Sequence, residues 1–167
     1  MKKTLLFLFL CIVATSSFSQ KKDKVKGSKI VTMEQKDVGE FDMLEVADQL
    51  EVFLVKGEKC GIEIEADDNL HDAIGIDLSG TTLRLSLLRK VSSYKKFSIR
   101  VNYTEKFKLV TGRNDAKITA LSDIVLDDIS FKLSENCKFF GNVKSKIFLL
   151  EANDKSKSEL NIKTTSS

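Results

Sequence analysis

The stretch from Phe107 to Ile162 constrains this chain most, because one short unit is written there three times. Each pass has an apolar strand, a small or polar corner, then another apolar position. The strands are Phe107-Lys-Leu109, Ile129-Ser-Phe131-Lys-Leu133 and Ile147-Phe-Leu149-Leu150. The corners are Thr111-Gly112-Arg113-Asn114-Asp115, Ser134-Glu135-Asn136 and Ala152-Asn153-Asp154. Asn114, Asn136 and Asn153 recur at a spacing near ~20 residues, a period that signals stacked coils. One such coil cannot bury its apolar face alone and needs a neighbour on each side. Equivalent residues of successive coils then stack, so Leu109, Phe131 or Leu133, and Leu149 are expected to form one internal column. Asn114, Asn136 and Asn153 are expected to line up at one corner, where asparagine tolerates the left-handed conformation.

Upstream, the pattern is period two, the mark of half-buried strands. Phe41-Asp-Met43-Leu44-Glu-Val46, Leu50-Glu-Val52-Phe-Leu54-Val55 and Cys60-Gly-Ile62-Glu-Ile64-Glu-Ala66 follow one another. Ile74-Gly-Ile76-Asp-Leu78 and Leu83-Arg-Leu85-Ser-Leu87 flank Ser79-Gly80-Thr81-Thr82, which predicts a hairpin with glycine at a positive φ. Phe97-Ser-Ile99-Arg-Val101-Asn-Tyr103 alternates throughout. The one candidate for helix is a single turn, Asn69 to Ile74. There is no proline, as suits a chain of ladders that each need their N–H donors. The expected class is all-β. Short turns early in the chain favour antiparallel pairing, and the late repeat favours a parallel β-solenoid. A solenoid with some antiparallel pairing at its N-terminal end accommodates both. A sandwich or barrel with a small-ligand pocket is the rival architecture.

The first residues read as an export signal. Lys2 and Lys3 precede the apolar run Leu5–Val13, and Ser17 and Ser19 sit where a signal peptidase reads small residues. Cleavage is expected between Ser19 and Gln20. The run is far short of the ~20 residues of a spanning helix, and no transmembrane segment is expected elsewhere. The expected division is residues 1–19 as signal peptide, 20–39 as polar leader and 40–167 as the folded domain. The basic segment Lys21–Gly27 is expected to be solvated and unstructured. Loss of Lys2 and Lys3 leaves 25 of the 27 basic residues against 24 acids. That balance gives no pull toward nucleic acid, and no nucleic-acid partner is expected. Cys11 leaves with the signal, so Cys60 and Cys137 remain, and both are expected as free thiols.

Chemistry is sparse. His71 is the only histidine, in a polar turn without a catalytic companion nearby in sequence. One histidine and two separated cysteines cannot make an ordinary zinc site. Asp67-Asp68-Asn69, Asp123 with Asp127-Asp128, and Asn153-Asp154 are oxygen-rich, but turn formation explains them without calcium. No catalytic residue, metal or cofactor is assigned. Paired carboxylates in a cleft would instead make a glycan-active β-helical protein, the alternative reading. The polar loop Arg89 to Lys96, with Arg89, Lys90, Tyr94, Lys95 and Lys96, is the candidate partner-binding loop, suited to an acidic glycan or a surface protein. The last coil, Leu149 to Ile162, is expected to end either charged and frayed, toward which Lys155, Lys157 and Glu159 lean, or in weak self-association, since an uncapped end exposes strand edges.

These residues together resemble the GIN domain family, a head domain of auto-transporter adhesin type. Glu40-Phe41-Asp42-Met43-Leu44-Glu45-Val46 is similar to its opening F-D-x-I-x-V. Leu50–Gly57 resembles its apolar strand ending in a glycine turn. Ile62-Glu63-Ile64-Glu65-Ala66-Asp67-Asp68-Asn69-Leu70 resembles V-x-V-x-A-D-x-N-L, the most specific piece. Gly80-Thr81-Thr82-Leu83-Arg84-Leu85 resembles the G-x-x-L-x-I hairpin, and Thr111-Gly112 a Ser-Gly corner. Ser134-Glu135 and Ala152-Asn153 depart from that corner. The resemblance implies a right-handed parallel β-solenoid, exported to the periplasm or the cell surface, acting as a non-enzymatic interaction or adhesion module. It implies no catalytic residue.

Overall fold

The structure is a computed structural model that describes residues 22–164. The expected signal segment and its cleavage point, Ser19 and Gln20, lie outside the described residues. Within them the chain is all-β, with sixteen strands and one 3-10 helix, Asp68–Ala73. In chain order the strands are β1 (Lys24–Lys26), β2 (Val31–Lys36), β3 (Met43–Val46), β4 (Glu51–Lys56), β5 (Gly61–Asp67), β6 (Ile74–Ser79), β7 (Thr82–Leu87) and β8 (Lys90–Ser92). They continue with β9 (Phe97–Tyr103), β10 (Leu109–Gly112), β11 (Lys117–Ala120), β12 (Ile124–Val125), β13 (Asp128–Leu133), β14 (Lys138–Ser145), β15 (Ile147–Ala152) and β16 (Lys157–Thr164).

Two mixed sheets enclose the core, and neither closes into a barrel. One runs β15-β13-β10-β3-β7-β6. The other runs β12-β14-β11-β4-β9-β5-β2, with β16 on the remaining edge of β14. Successive passes through both sheets, β3/β4, β10/β11, β13/β14 and β15/β16, are joined by parallel ladders. The expected repeat is therefore a stack of coils, and Phe107–Ile162 contains no antiparallel hairpin. Antiparallel pairing is confined to β2, β5 and β6, which finish the other end. The predicted hairpin is β6–β7, with Ser79 opposite Thr82 and Gly80 at φ 61°.

The register differs from expectation by one residue. Val110 lies beside Phe131, and Phe131 beside Leu150, while Leu109 lies beside Ser130 and Ser130 beside Leu149. The internal column is thus Leu83, Leu44, Val110, Phe131 and Leu150. Leu149 is on the outer face and 48% exposed. Phe131 is in the column as expected, but strand side chains alternate, so the slip of one residue turns Leu109 and Leu149 to the opposite face. Leu133 is buried, but in the next column, beside Gly112. Opposite, Ile99, Val52, Ile118 and Phe139 form the facing column. The two meet where the rings of Phe131 and Phe139 lie 4.5 Å apart. Gly112 is required here, because a Cβ on it would come within 2.3 Å of Cys137 Sγ.

The corners also correct the sequence reading. Each is a four-residue turn with two consecutive left-handed residues: Asn114-Asp115, Glu135-Asn136 and Asp154-Lys155. The fourth N–H donates to the first carbonyl, Ala116 to Arg113, Cys137 to Ser134 and Ser156 to Asn153. Asn114 therefore occupies the first left-handed position, Asn136 the second, and Asn153 precedes both, so the three asparagines do not align. What repeats is the backbone conformation, which Asp, Glu and Lys also adopt here.

The basic leader is folded as well. Lys24–Lys26 pairs in parallel with Lys90–Ser92, so the supposed Arg89–Lys96 loop contains a strand. The cause is Asp67, whose carboxylate is buried at the end of β5. Its oxygens accept the backbone N–H groups of Lys29 (2.9 Å), Lys95 (3.0 Å) and Lys96 (3.0 Å). Burial alone would raise the Asp67 pKa, but the N–H groups of Lys96, Lys29 and Lys95 outweigh it and hold the carboxyl below the usual range. Asn69 Oδ1 accepts the Ser28 N–H at 2.9 Å, and its amide donates to the Lys26 carbonyl at 2.8 Å. Gly27 passes so close that a Cβ would sit 2.1 Å from Asp67 Oδ2. The Ala-Asp-x-Asn-Leu run is thus a structural clamp, and its Leu70 plugs the core at this end.

Candidate functional site

Alternation along β14 points Phe139 and Val143 inward and Lys138, Phe140, Asn142 and Lys144 outward. The parallel register then stacks like on like across the outer face of that sheet. Glu51, Lys117, Lys138 and Lys157 form one row. Thr119, Phe140 and Glu159 form the next. Asn142 stands beside Asn161, and Lys144 beside Lys163. Neighbouring strands lie about 4.8 Å apart, so lysines in one row repel each other by roughly 1 kcal/mol per adjacent pair in water before screening.

Only part of this repulsion is relieved inside the protein. Lys117 Nζ is 2.7 Å from Glu51 Oε1, and Lys144 Nζ is 2.6 Å from Asp123 Oδ2. Among the described residues, Lys138, Lys157 and Lys163 have no ion-pair partner. Beside them runs an amide ladder. Asn142 Nδ2 donates to Asp123 Oδ1 at 2.9 Å, and Asn161 Nδ2 donates to Asn142 Oδ1 at 3.0 Å. The hydrogen bonds from Lys144 and Asn142, with the Lys144 charge, hold the Asp123 carboxyl below its ordinary pKa. Asp123, Asn142, Lys144, Asn161 and Lys163 line a shallow groove of about 400 Å³. The face is a fixed, flat array of cations and amides. It can take an anionic or hydroxyl-rich surface.

Sequence reasoning did not find this face. The signal was present as the spacing of 19 residues from Asp123 to Asn142 and again to Asn161. The candidate loop is placed differently. Lys90 belongs to β8, and Lys95 and Lys96 are tied by their backbones to Asp67. Lys96 Nζ pairs with Glu65 at 3.2 Å, and Tyr94 packs on Phe97 with ring centroids 5.5 Å apart. Arg89 and Lys95 stay exposed. His71 is engaged by β2, with Nε2 2.8 Å from Thr32 Oγ1 and Nδ1 3.3 Å from Glu34.

Among the described residues, no three His, Cys, Asp or Glu side chains come together as metal ligands. No helix there is long and apolar enough to cross a membrane. Cys60 and Cys137 are both free thiols, and burial pushes the Cys137 thiol up to about 11. A groove of about 720 Å³ at the turn corners carries both signs, including Lys22, Lys24, Lys90, Asp48, Asp115 and Glu135. Lys22 and Asp48 are already paired across it at 2.9 Å.

The fold is shared with solved proteins. A crystal structure of a "putative adhesin" from Parabacteroides merdae superimposes with a TM-score of 0.73 at 24% identity, covering 85% of this chain and 61% of that one. Another so described, from Parabacteroides distasonis, gives 0.69 at 20% identity, covering 84% and 59%. The chain thus spans about three fifths of the length of these relatives. No curated protein matches it. The family model described as "Putative auto-transporter adhesin, head GIN domain" matches residues 40–166. The chain belongs to the GIN domain family.

Proposed function

We propose that this protein is an exported, non-enzymatic interaction module of the cell envelope, held in the periplasm or on the cell surface. Its outer lysine–asparagine face binds an acidic surface glycan or the acidic face of a surface protein. The observation that carries this reading is the stacking of Lys138 on Lys157 and of Lys144 on Lys163. Like charges held in register are destabilising, and a bound anion relieves them. Asp42, Asp67 and Asp123 are held ionised by structural partners: Lys108 for Asp42, the Lys96, Lys29 and Lys95 N–H groups for Asp67, and Lys144 with Asn142 for Asp123. Residues 40–167 form the binding domain, residues 20–39 the leader, whose described part from Lys22 on packs against it, and residues 1–19 the signal that is removed. Arg89, Tyr94 and Lys95 provide a second contact at the far end. The coils wind right-handed, the sense parallel crossovers take in about 98% of cases.

The test is a binding screen of the mature chain against uronate-bearing, sulfated and neutral glycans and envelope proteins. Binding to an acidic ligand should disappear in Lys138→Glu/Lys157→Glu, with the melting temperature unchanged. A ligand that binds equally well to that variant places the interface elsewhere. Hydrolysis of any glycan in the panel by the purified chain overturns the non-enzymatic reading.

A further inference from the structure

Strand β16 has a neighbour on one side only: among the described residues it pairs with β14 and nothing else. The Lys157 N–H donates to the Cys137 carbonyl at 2.9 Å. Donors alternate along a strand, so the N–H and C=O groups of Glu159, Asn161 and Lys163 also face β14. Those of Ser158, Leu160 and Ile162 face the open edge. An edge of this kind pairs with any strand that matches it. Phe148, Leu150 and Leu160, at the end of the core, are only partly buried.

We infer that the occupant of this edge is β16 of a second copy, antiparallel and centred on Asn161. The residues of β16 select that register. Centring on Asn161 sets Glu159 opposite Lys163 of the partner subunit, twice by symmetry. It also exchanges main-chain bonds between Leu160 and Ile162 of the partner subunit, both of which face the edge. Centring on Leu160 sets Lys157 opposite Lys163, and centring on Glu159 sets two carboxylates against each other. Opposite charges on facing strands stabilise a pair and like charges weaken it. Asn161 meets its own copy at a non-hydrogen-bonded position, where Cα atoms lie about 4.5 Å apart. The amide ladder Asp123–Asn142–Asn161 then runs on into its mirror sequence across the two-fold axis. The same axis lays β15 beside its copy and covers Phe148, Leu150 and Leu160. The contact is isologous and closed, so it stops at a dimer.

Sedimentation equilibrium of the mature chain tests this. A monomer–dimer equilibrium is expected. Glu159→Lys should weaken it about tenfold, because it sets like charges opposite each other at two symmetric places. The double exchange Glu159→Lys/Lys163→Glu should restore it. All three chains keep their folds, since both side chains are exposed. Asn161→Cys should form an intermolecular disulfide under mild oxidation, and Lys163→Cys should not. A chain that stays monomeric at millimolar concentration overturns the inference. So does a dimer indifferent to Glu159→Lys, or equal cross-linking at 161 and 163. These outcomes read the oligomeric state alone; because Lys163 also belongs to a lysine row, anion binding is tested separately by Lys138→Glu/Lys157→Glu, which leaves Glu159, Asn161 and Lys163 intact.

Discussion

At one end of the stack, β2 and β6 run antiparallel to their neighbours, and the 3-10 helix Asp68–Ala73 seals the core between the sheets. At the other end, β15 and β16 continue the parallel ladders, and their outer edges have no strand beside them among the described residues. Leu70 at the sealed end has no exposed surface, whereas Ile147 and Leu149 at the open end are 64% and 48% exposed. The sealed end depends on one buried carboxylate and its backbone donors. The open end depends on repetition alone. Specific, non-repeating residues close a stack, and periodic residues extend it.

The largest loss of stability is expected in the interior of the repeat. Phe131 is fully buried and touches both Phe139 and Phe148. Phe131→Ala should cost about 3–5 kcal/mol in chemical denaturation. A cost under about 1 kcal/mol would mean that the coils are not held by that column.

Removing the clamp should come next in size. Asp67→Asn turns one acceptor toward the Lys29, Lys95 and Lys96 N–H groups into a donor. Hydrogen exchange should accelerate across β1, β8 and residues 93–96 and leave β13 and β14 protected. The same carboxylate makes the sealed end acid-sensitive. Its folded pKa lies below an unfolded value of about 3.9. Its contribution is therefore complete above that value and disappears as the pH falls through the lower, folded one. Protection of the Lys95 and Lys96 amides, followed by exchange at decreasing pH, should show this transition in the wild type, whereas in Asp67→Asn it is low throughout and carries no transition there.

Smaller effects sharpen the contrast. Phe148 is the residue of Phe131's kind in the terminal coil, only partly buried. Phe148→Ala should cost about 1–2 kcal/mol, less than its fully buried counterpart. Lys138→Glu/Lys157→Glu, on the outer face, should change stability by no more than about 0.5 kcal/mol. Thermal melts of these variants should rank in this order.

The parallel coils were legible because Phe107–Ile162 repeats, and the β6–β7 hairpin because Ser79-Gly80-Thr81-Thr82 dictates a turn. The register was not. The runs Leu109-Val110 and Leu149-Leu150 put apolar residues side by side, and only packing decides which one points inward. Nor was the folded leader legible, because Lys21–Gly27 has no apolar pattern, and its described part, from Lys22 on, is held through backbone groups by residues more than forty positions away. The lysine–asparagine face escaped notice for a related reason. Its members are ordinary solvent-facing residues on each strand, and they become an array only when stacked.

The order in which the coils are laid down has a consequence for folding. The chain makes β3 and β4 first, leaves them to build the sealed end, then returns on their far side with β10 and β11. Arg84 reaches back 39 residues to Glu45, and Lys117 reaches back 66 to Glu51. The later coils close over only about 19 residues, as from Asn142 to Asn161. Pairing across long loops carries the larger entropic barrier. The slow step is therefore the return of β10 and β11 onto a coil that has waited with one edge bare. Every coil after it adds by zippering onto a finished template. A nascent chain halted before Lys117 keeps β4 open to foreign strands across a long loop, whereas in one halted after Ala120 the bare edge has moved to β11, which β14 covers over a short one.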